Sequence, residues 1–202
     1  MKNILFLLSF SVIITAIPSC DKSNPVSYDS SIGIIPLKVG NTWVMTFSYC
    51  DSNGVVTETG IDSAWVSEDT VISGQRYFLV SDQQKNSVGI PVTQIVSYLA
   101  RNSSSGYSLR FGSNEQILYD YPSHIGDTSI VASNEVVTVP TGTYHCIVYQ
   151  IRAGTYEING VNHYIIGKHY ICPNIGMIKA EVLNPQNGYL LSRFILTRVV
   201  LN

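Results

Sequence analysis

The sequence predicts an all-β domain built as a single antiparallel curved sheet or half-open barrel, with a β-sandwich as the alternative. Three observations predict this class. β-branched and aromatic residues recur in short runs, turn residues separate the runs at regular spacing, and no segment after residue 35 shows a helical apolar period. Because a wide sheet must curl or close to protect its edges, a curved sheet is preferred over a flat one. We expect negligible helix outside the N-terminal segment.

The individual strands follow from composition and from the turns between them. Thr42–Tyr49 is β-branched and aromatic and lies between Gly40 and Asp51. Asn53-Gly54 comes next and is typical of a type I′ hairpin turn, in which both residues have positive φ. Ser73-Gly74 forms another turn. The remaining predicted strands are Val55–Val66, Arg76–Val80, Ile95–Arg101, Tyr107–Phe111, Gln116–Tyr121, Ser129–Ala132, Val136–Val139, Tyr144–Arg152, Tyr164–Cys172, Met177–Leu183 and Tyr189–Leu201.

The N-terminus predicts export. Lys2 precedes an apolar run from Ile4 to Ile17, which has the length of a secretory signal rather than of a membrane span. The run ends in Ile17-Pro18-Ser19-Cys20, which resembles the lipobox of bacterial lipoproteins. The resemblance implies cleavage before Cys20 and attachment of lipid, with palmitate among the acyl groups, to Cys20. An ordinary signal peptide with an incidental cysteine is the alternative.

These features divide the chain into three parts. Residues 1–19 are the predicted signal peptide, residues 20–35 the lipidated cysteine with a flexible Ser- and Asn-containing tether, and residues 36–202 a single all-β domain. The predicted location is therefore the cell envelope outside the cytoplasm, with a lipid anchor as the contact to the membrane. The outer membrane is favoured over the inner one.

Three motifs in the domain extend this picture. They are Pro36-x-x-Val39-Gly40-Asn41-x-Trp43, then Val139-Pro140-x-Gly142-Thr143-Tyr144-x-Cys146, and finally Gly176-Met177-Ile178-Lys179. Together they resemble a group of uncharacterised bacterial lipoproteins whose domains are similar to curved, half-open β-barrels of the lipoprotein-carrier type. The resemblance implies a fold and carries no catalytic residue.

A short pattern also occurs twice. Pro36–Thr42 and Pro122–Thr128 both follow P-x-x-[VI]-G-[ND]-T, 86 residues apart. Pro stiffens the approach, the aliphatic residue packs inward, and the Gly-Asn or Gly-Asp pair turns the chain into a strand. Repeated use of one strand-entry turn is favoured slightly over an old duplication.

Three cysteines remain once Cys20 is assigned to lipidation: Cys50, Cys146 and Cys172. Cys146 and Cys172 lie in strands that are close in sequence and are the candidate disulfide pair of an oxidising compartment. The alternative, weighted equally, is that all three are reduced and act as small buried hydrophobes. The histidines His124, His145, His163 and His169 lack paired metal-ligand spacing, so we expect no metal site and no cofactor.

Function is the least determined property. With 12 basic and 14 acidic residues, the chain lacks the charge of a nucleic-acid binder. No nucleophile, zinc or nucleotide motif is present, so no catalytic residue is expected and the chain is not predicted to be an enzyme. Two hypotheses follow: a binding module holding an apolar or amphipathic ligand on the concave side of its sheet, or a structural, protein-interacting component of the envelope. The candidate ligand-contacting residues are Tyr144, Tyr149, Tyr164 and Tyr170.

Overall fold

A computed structural model of the chain describes residues 33–121, 129–158 and 161–202. The predicted signal peptide, Cys20 and most of the predicted tether lie outside these residues, as does the second copy of the repeated pattern, Pro122–Thr128. The described residues form strands and turns, with no helix, and so none that is long and apolar enough to cross a membrane. The strands are β1 (Thr42–Cys50), β2 (Val56–Ile72), β3 (Gln75–Asn86), β4 (Val96–Ser103), β5 (Gly106–Phe111), β6 (Asn114–Asp120), β7 (Ser129–Val139), β8 (Gly142–Ile158), β9 (Val161–Cys172), β10 (Gly176–Leu183) and β11 (Leu190–Val200).

All eleven strands belong to one antiparallel sheet in the order β6-β5-β4-β3-β2-β1-β11-β10-β9-β8-β7. Two meanders, β1–β6 and β7–β11, are joined where β1 pairs with β11. Contacts between strands that are far apart in this order show that the sheet curls strongly. The Tyr119 hydroxyl on β6 lies 2.6 Å from Nδ1 of His169 on β9, and the Tyr149 hydroxyl on β8 donates to the Asp120 carbonyl at 2.9 Å. The predicted curved sheet and half-barrel are therefore confirmed, and the β-sandwich alternative is wrong.

The concave face of this curl, called the inner face below, holds the main core. Side chains that are paired across the ladders lie on the same face of the sheet. Burying one such side chain contributes about 1.5–3 kcal/mol, so this face supplies most of the apolar stabilisation. Its buried members include Trp43, Met45, Phe47, Val80, Ala100, Tyr107, Tyr119, Ile147, Tyr149, Ile171, Ile178 and Leu196.

The first hairpin turn differs from the prediction. Gly54 has φ of 79°, but Asn53 does not have positive φ, so the loop is not type I′. Instead, Oδ1 of Asp51 accepts hydrogen bonds from the amides of Asn53 and Val55, and the Asp51 amide donates to the Val55 carbonyl. These hydrogen bonds to the Asp51 carboxylate favour a longer loop, in which Gly54 adopts the left-handed conformation. The turn with two positive φ values is the next one, at Ser73 (50°) and Gly74 (77°).

Several strands extend beyond their predicted ends. The single strand β7 covers the two predicted segments Ser129–Ala132 and Val136–Val139, and β2 and β8 reach 17 residues each. The N-terminal boundary also moves, because Ile34 and Ile35 are buried in the core, and the Ile35 carbonyl accepts a hydrogen bond from Asn102 Nδ2 at 2.8 Å. The folded domain thus includes the last residues that the sequence assigned to the tether.

Two of the three motifs meet in space. Trp43 Nε1 donates to the Ile175 carbonyl at 2.6 Å, and a Cβ placed on Gly176 would lie 2.9 Å from the same nitrogen. Gly176 also has φ of 103°, a conformation that favours glycine. The motif residues therefore connect the start of β1 to the turn between β9 and β10.

Candidate binding recess on the outer face

The β7–β8 hairpin covers part of the convex face of the sheet, called the outer face below. The last pair between β8 and β9 is Ile147 with Ile171, so the hairpin beyond it pairs only within itself. This projecting part approaches β11, and its Val137 and Val139 are buried. The hairpin and the outer face of β9–β11 thereby enclose a recess of about 350 Å³.

One wall of this recess is apolar. It is formed by Val137 and Val139 from the hairpin and by Ile195 from β11. Behind it lie Cys146 and Val148, which are buried on the same outer side of β8. This wall is a small second core that the inner face does not share.

The opposite wall is polar and charged. Glu181 on β10 forms ion pairs with Lys179 Nζ at 2.8 Å and with Arg193 Nε at 2.9 Å. The Tyr170 hydroxyl donates to Glu181 at 3.4 Å, and Lys179 Nζ lies 4.8 Å from the centroid of the Tyr170 ring. Burial, and after it the charges of Glu181 and Glu135, raise the pKa of Tyr170 to about 12, so its hydroxyl stays protonated and can donate.

Lys179 and Arg193 supply the positive charge of the recess, and Glu181 and Glu135 balance it. Arg193 uses Nε for Glu181, its side chain is 43% exposed, and a guanidinium carries five donors. A second recess of about 230 Å³ lies on the other side of Glu181, lined by Gln150, Ile166, Lys168, Leu183 and Pro185. The outer face of β9–β11 therefore offers a two-part, amphipathic depression.

Only one of the four predicted tyrosines lines the recess. Tyr170 does so, whereas Tyr149 is fully buried on the inner face, where its hydroxyl binds the Asp120 carbonyl. The Tyr144 hydroxyl donates to the Thr141 carbonyl within the hairpin turn. Tyr164 is 52% exposed near the other end of β9, with the Arg152 guanidinium 4.2 Å from its ring centroid. These four residues do not form one site.

The inner face carries a separate pair of carboxyl groups. Asp62 on β2 pairs with Gln84, and Asp82 on β3 pairs with Ala64, so the two are diagonal neighbours on one face. Burial, then the charge of Asp82, raise the pKa of Asp62 to about 6, and burial also raises the pKa of Asp82. Asp62 Oδ1 is buried without a hydrogen-bond partner among the described residues. Nearby, burial raises the pKa of Tyr98 to about 12.

Cys146 and Cys172 lie on neighbouring antiparallel strands, as predicted, but they are not bonded. Cys146 and Cys172 each lie one residue beyond Ile147–Ile171, the terminal pair of the β8–β9 ladder. In the structure both are thiols, as is Cys50, so the predicted disulfide is not formed. The sulfurs point to different backbone oxygens, because Cys146 Sγ lies 3.8 Å from the Tyr144 carbonyl and Cys172 Sγ lies 3.7 Å from the Pro173 carbonyl.

The histidines do not gather into a cluster. His169 bonds Tyr119 on the inner face, and burial lowers the pKa of His169 to about 4. His145 and His163 are exposed, and His124 lies outside the described residues. In the part of the chain that the structure describes, no group of three His, Cys, Asp or Glu side chains is placed to share a metal ion.

Sequence reasoning missed most of the recess. Glu181 and Arg193 were not singled out, and Lys179 was named only as part of a fold motif, although Lys179 and Glu181 are two residues apart on β10 and so share a face. Val137, Val139 and Ile195 were counted as ordinary strand residues. Their meeting depends on how the hairpin folds over the sheet, and no local pattern encodes that.

The order of strands and the curl around the inner face define a half-barrel, since no pairing between the end strands β6 and β7 occurs among the described residues. Two solved structures share this fold. A protein from Bacteroides fragilis NCTC 9343, described as exported and as having a YmcC-like fold, is 14% identical with a TM-score of 0.59, over 84% of this chain and 100% of that one. A protein from Parabacteroides distasonis ATCC 8503, described as a lipoprotein, is 15% identical with a TM-score of 0.57, over 84% of this chain and 99% of that one. No protein-family model and no curated protein matches the chain.

Proposed function

We propose that the chain is a lipid-anchored protein of the cell envelope, outside the cytoplasm, that binds a small amphipathic molecule in the outer-face recess. The lipobox-like Ile17–Cys20 segment supports the anchor. The two proteins of the same fold, described as exported and as a lipoprotein, agree with this location. The outer membrane remains the favoured site, and the proposed activity is binding rather than catalysis.

The observation that carries the binding proposal is the pairing of an apolar wall with a polar wall around about 350 Å³. Ligand sites typically combine apolar lining with a few convergent polar groups, at volumes of about 300–1,000 Å³. The apolar part of a ligand fits against Val137, Val139 and Ile195. Its head faces Lys179 Nζ and the Arg193 guanidinium, each of which keeps N–H donors that Glu181 does not use.

The sequence analysis placed the ligand on the concave side of the sheet, whereas the proposed recess lies on the convex side. The concave inner face is filled by its own side chains, among them Tyr149, Ile171, Ile178 and Leu196, none of which is exposed to solvent. The recess instead opens on the face that the projecting hairpin partly covers. A head with acceptor oxygens suits the N–H donors of Lys179 and Arg193 that Glu181 leaves free, whereas a trimethylammonium head accepts no hydrogen bond.

Native mass spectrometry of the full chain in nanodiscs tests this proposal, with decanoate and decyltrimethylammonium as a matched pair of probes. We expect decanoate to bind and decyltrimethylammonium to bind much more weakly. Thr138→Trp, at an exposed residue of the recess, should abolish decanoate binding, whereas Thr155→Trp, at an exposed threonine elsewhere on β8, should preserve it. Binding that is unchanged in Thr138→Trp, or equal for both probes, would contradict the proposal.

A further inference from the structure

The loop between β3 and β4 and the adjoining strand ends form an exposed apolar surface, called the loop tip below. Its members are Val88, Ile90, Val92, Ile95, Val96 and Phe111, which are between 42% and 75% exposed. Phe111 belongs to the same surface because its ring centroid lies 6.0 Å from that of Tyr98 on β4. Exposed apolar side chains grouped in this way mark a contact with a partner or a membrane.

The exposure is built into the loop by hydrogen bonds. Oδ1 of Asn86 accepts from the amides of Val88 at 3.2 Å and Ile90 at 2.9 Å, and the Asn86 amide donates to the Ile90 carbonyl at 2.9 Å. Thr93 Oγ1 accepts from the Gln84 amide at 3.0 Å, and Lys85 bridges to Pro91. The backbone is thus fixed in a shape that holds Val88 and Ile90 in solvent.

The absence of charge within the loop favours a lipid surface over a protein partner. No residue between Lys85 and Arg101 is charged, so the loop itself carries no ion into an interface. Three charged residues of β2 and β3 lie beside it: Lys85 is exposed, Asp82 pairs with Val96 on the inner face, and the exposed Glu58 lies two residues beyond the Gly60–Asn86 pair. An uncharged apolar loop matches the apolar boundary of a bilayer, and the exposed Lys85 is placed to contact a headgroup phosphate.

The chain between the proposed anchor and the folded domain is long enough for this contact. Gly33 packs against the side chain of Asn102 on β4, at the opposite end of the strand from the loop tip. The distance from Gly33 to the loop tip can be counted along the two strands. There are six residue steps on β4, from Asn102 to Val96, and four on β3, from Asp82 to Asn86, which together span roughly 33 Å. Thirteen residue steps separate Cys20 from Gly33 and span up to about 45 Å.

We infer that the loop tip, Val88–Val96 with Phe111, inserts into the membrane interface and holds the domain against the bilayer. The inference uses the proposed lipid anchor only to place the domain near a membrane. The anchor supplies attachment, and the loop tip fixes which end of the half-barrel faces the lipid. The recess on the outer face then lies on the side of the half-barrel, beside the membrane rather than beneath the domain.

Tryptophan quenching in vesicles tests this inference with the full, lipidated chain. Ile90→Trp is compared with Val71→Trp, because Val71 is 67% exposed at the opposite end of the sheet. The vesicles contain phosphatidylcholine and phosphatidylglycerol, with or without brominated acyl chains, and the emission of the parent chain is subtracted. We expect the emission of Ile90→Trp to shift to shorter wavelength and to be largely lost with brominated lipid. Val71→Trp should change in neither respect.

The outcomes separate this inference from the proposed anchor. A chain that floats with the vesicles while Ile90→Trp and Val71→Trp behave alike would overturn the inference and leave the anchor intact. A blue shift that appears without vesicles and grows with protein concentration would assign the loop tip to a second copy of the chain, and would also overturn it. Adding Val88→Asp to Ile90→Trp should reduce the quenching, since an ionised carboxylate resists entry into lipid. Quenching that survives this substitution unchanged would contradict insertion.

Discussion

Asp62→Asn is expected to stabilise the protein at neutral pH. The carboxyl group of Asp62 is partly buried, its Oδ1 has no hydrogen-bond partner among the described residues, and its pKa is raised from 3.8 to about 6. A raised pKa means that the folded state prefers the protonated form. The ionised carboxylate therefore costs stability, and this cost grows as the pH rises from about 4 to about 6 and stays constant above that.

The size of this effect follows from the shift. The rise of the Asp62 pKa from 3.8 to about 6, at about 1.36 kcal/mol for each tenfold change in proton affinity, gives an upper limit of roughly 3 kcal/mol. Solvent still reaches part of the side chain and screens its charge, so we expect a gain of about 1–2 kcal/mol for the neutral amide. For a domain of this size the gain corresponds to a rise in Tm of about 2–8 °C.

Urea and thermal unfolding at a series of pH values between about 4 and 7.5 measure the gain. Glu58→Gln is the matched control, because it removes an exposed carboxylate from the same strand and changes the net charge equally. The advantage of Asp62→Asn should be full above about pH 6 and should disappear near pH 4. A gain that is independent of pH, or equal to that of Glu58→Gln, would refute the desolvation argument.

Three further predictions concern the core and the cysteines. His169 is buried neutral with its pKa lowered to about 4, so the parent should lose stability relative to His169→Phe as the pH falls below about 6.5, and parallel pH profiles would contradict this. Trp43→Phe removes the bond to the Ile175 carbonyl and should cost about 1–3 kcal/mol in urea unfolding, clearly more than Trp65→Phe on the neighbouring strand. Burial, and after it electrostatic interaction with Cys172 and Glu135, raise the pKa of the Cys146 thiol to about 12. Iodoacetamide should therefore label Cys50 well before Cys146 in the folded protein. Equal labelling rates would be inconsistent with a buried Cys146 thiol.

The fold was predictable from local patterns because strand content and turns are local properties. Thr42–Tyr49 and Tyr107–Phe111 lie within a residue of the observed β1 and β5. The errors occur where backbone pairing continues without an apolar signal. Ser67–Thr70 in β2 is polar and exposed, but hydrogen-bonded pairing with β3 extends the strand to Ile72. Asn53 shows the same limit at a turn, since the Asp51 carboxylate decided the loop type.

The candidate site was much less predictable. Tyr170 was identified as a binding-type residue, but so were Tyr149 and Tyr164, which lie on the inner face and in solvent. Composition does not distinguish them, because a tyrosine suits the core, a rim or a recess equally well. The recess requires residues 137, 139 and 195 to meet through folding of the β7–β8 hairpin over β11. That is a tertiary property with no counterpart in the local sequence.

The proposed location depends on attachment to the membrane through Cys20, and the intact mass of the chain purified from membranes tests this most directly. The proposal predicts a mature chain that begins at Cys20 and carries the mass of attached acyl groups, and Cys20→Ser should lose that mass and leave the membrane fraction. A mature chain that begins at another residue, or that begins at Cys20 without acyl mass, would contradict it.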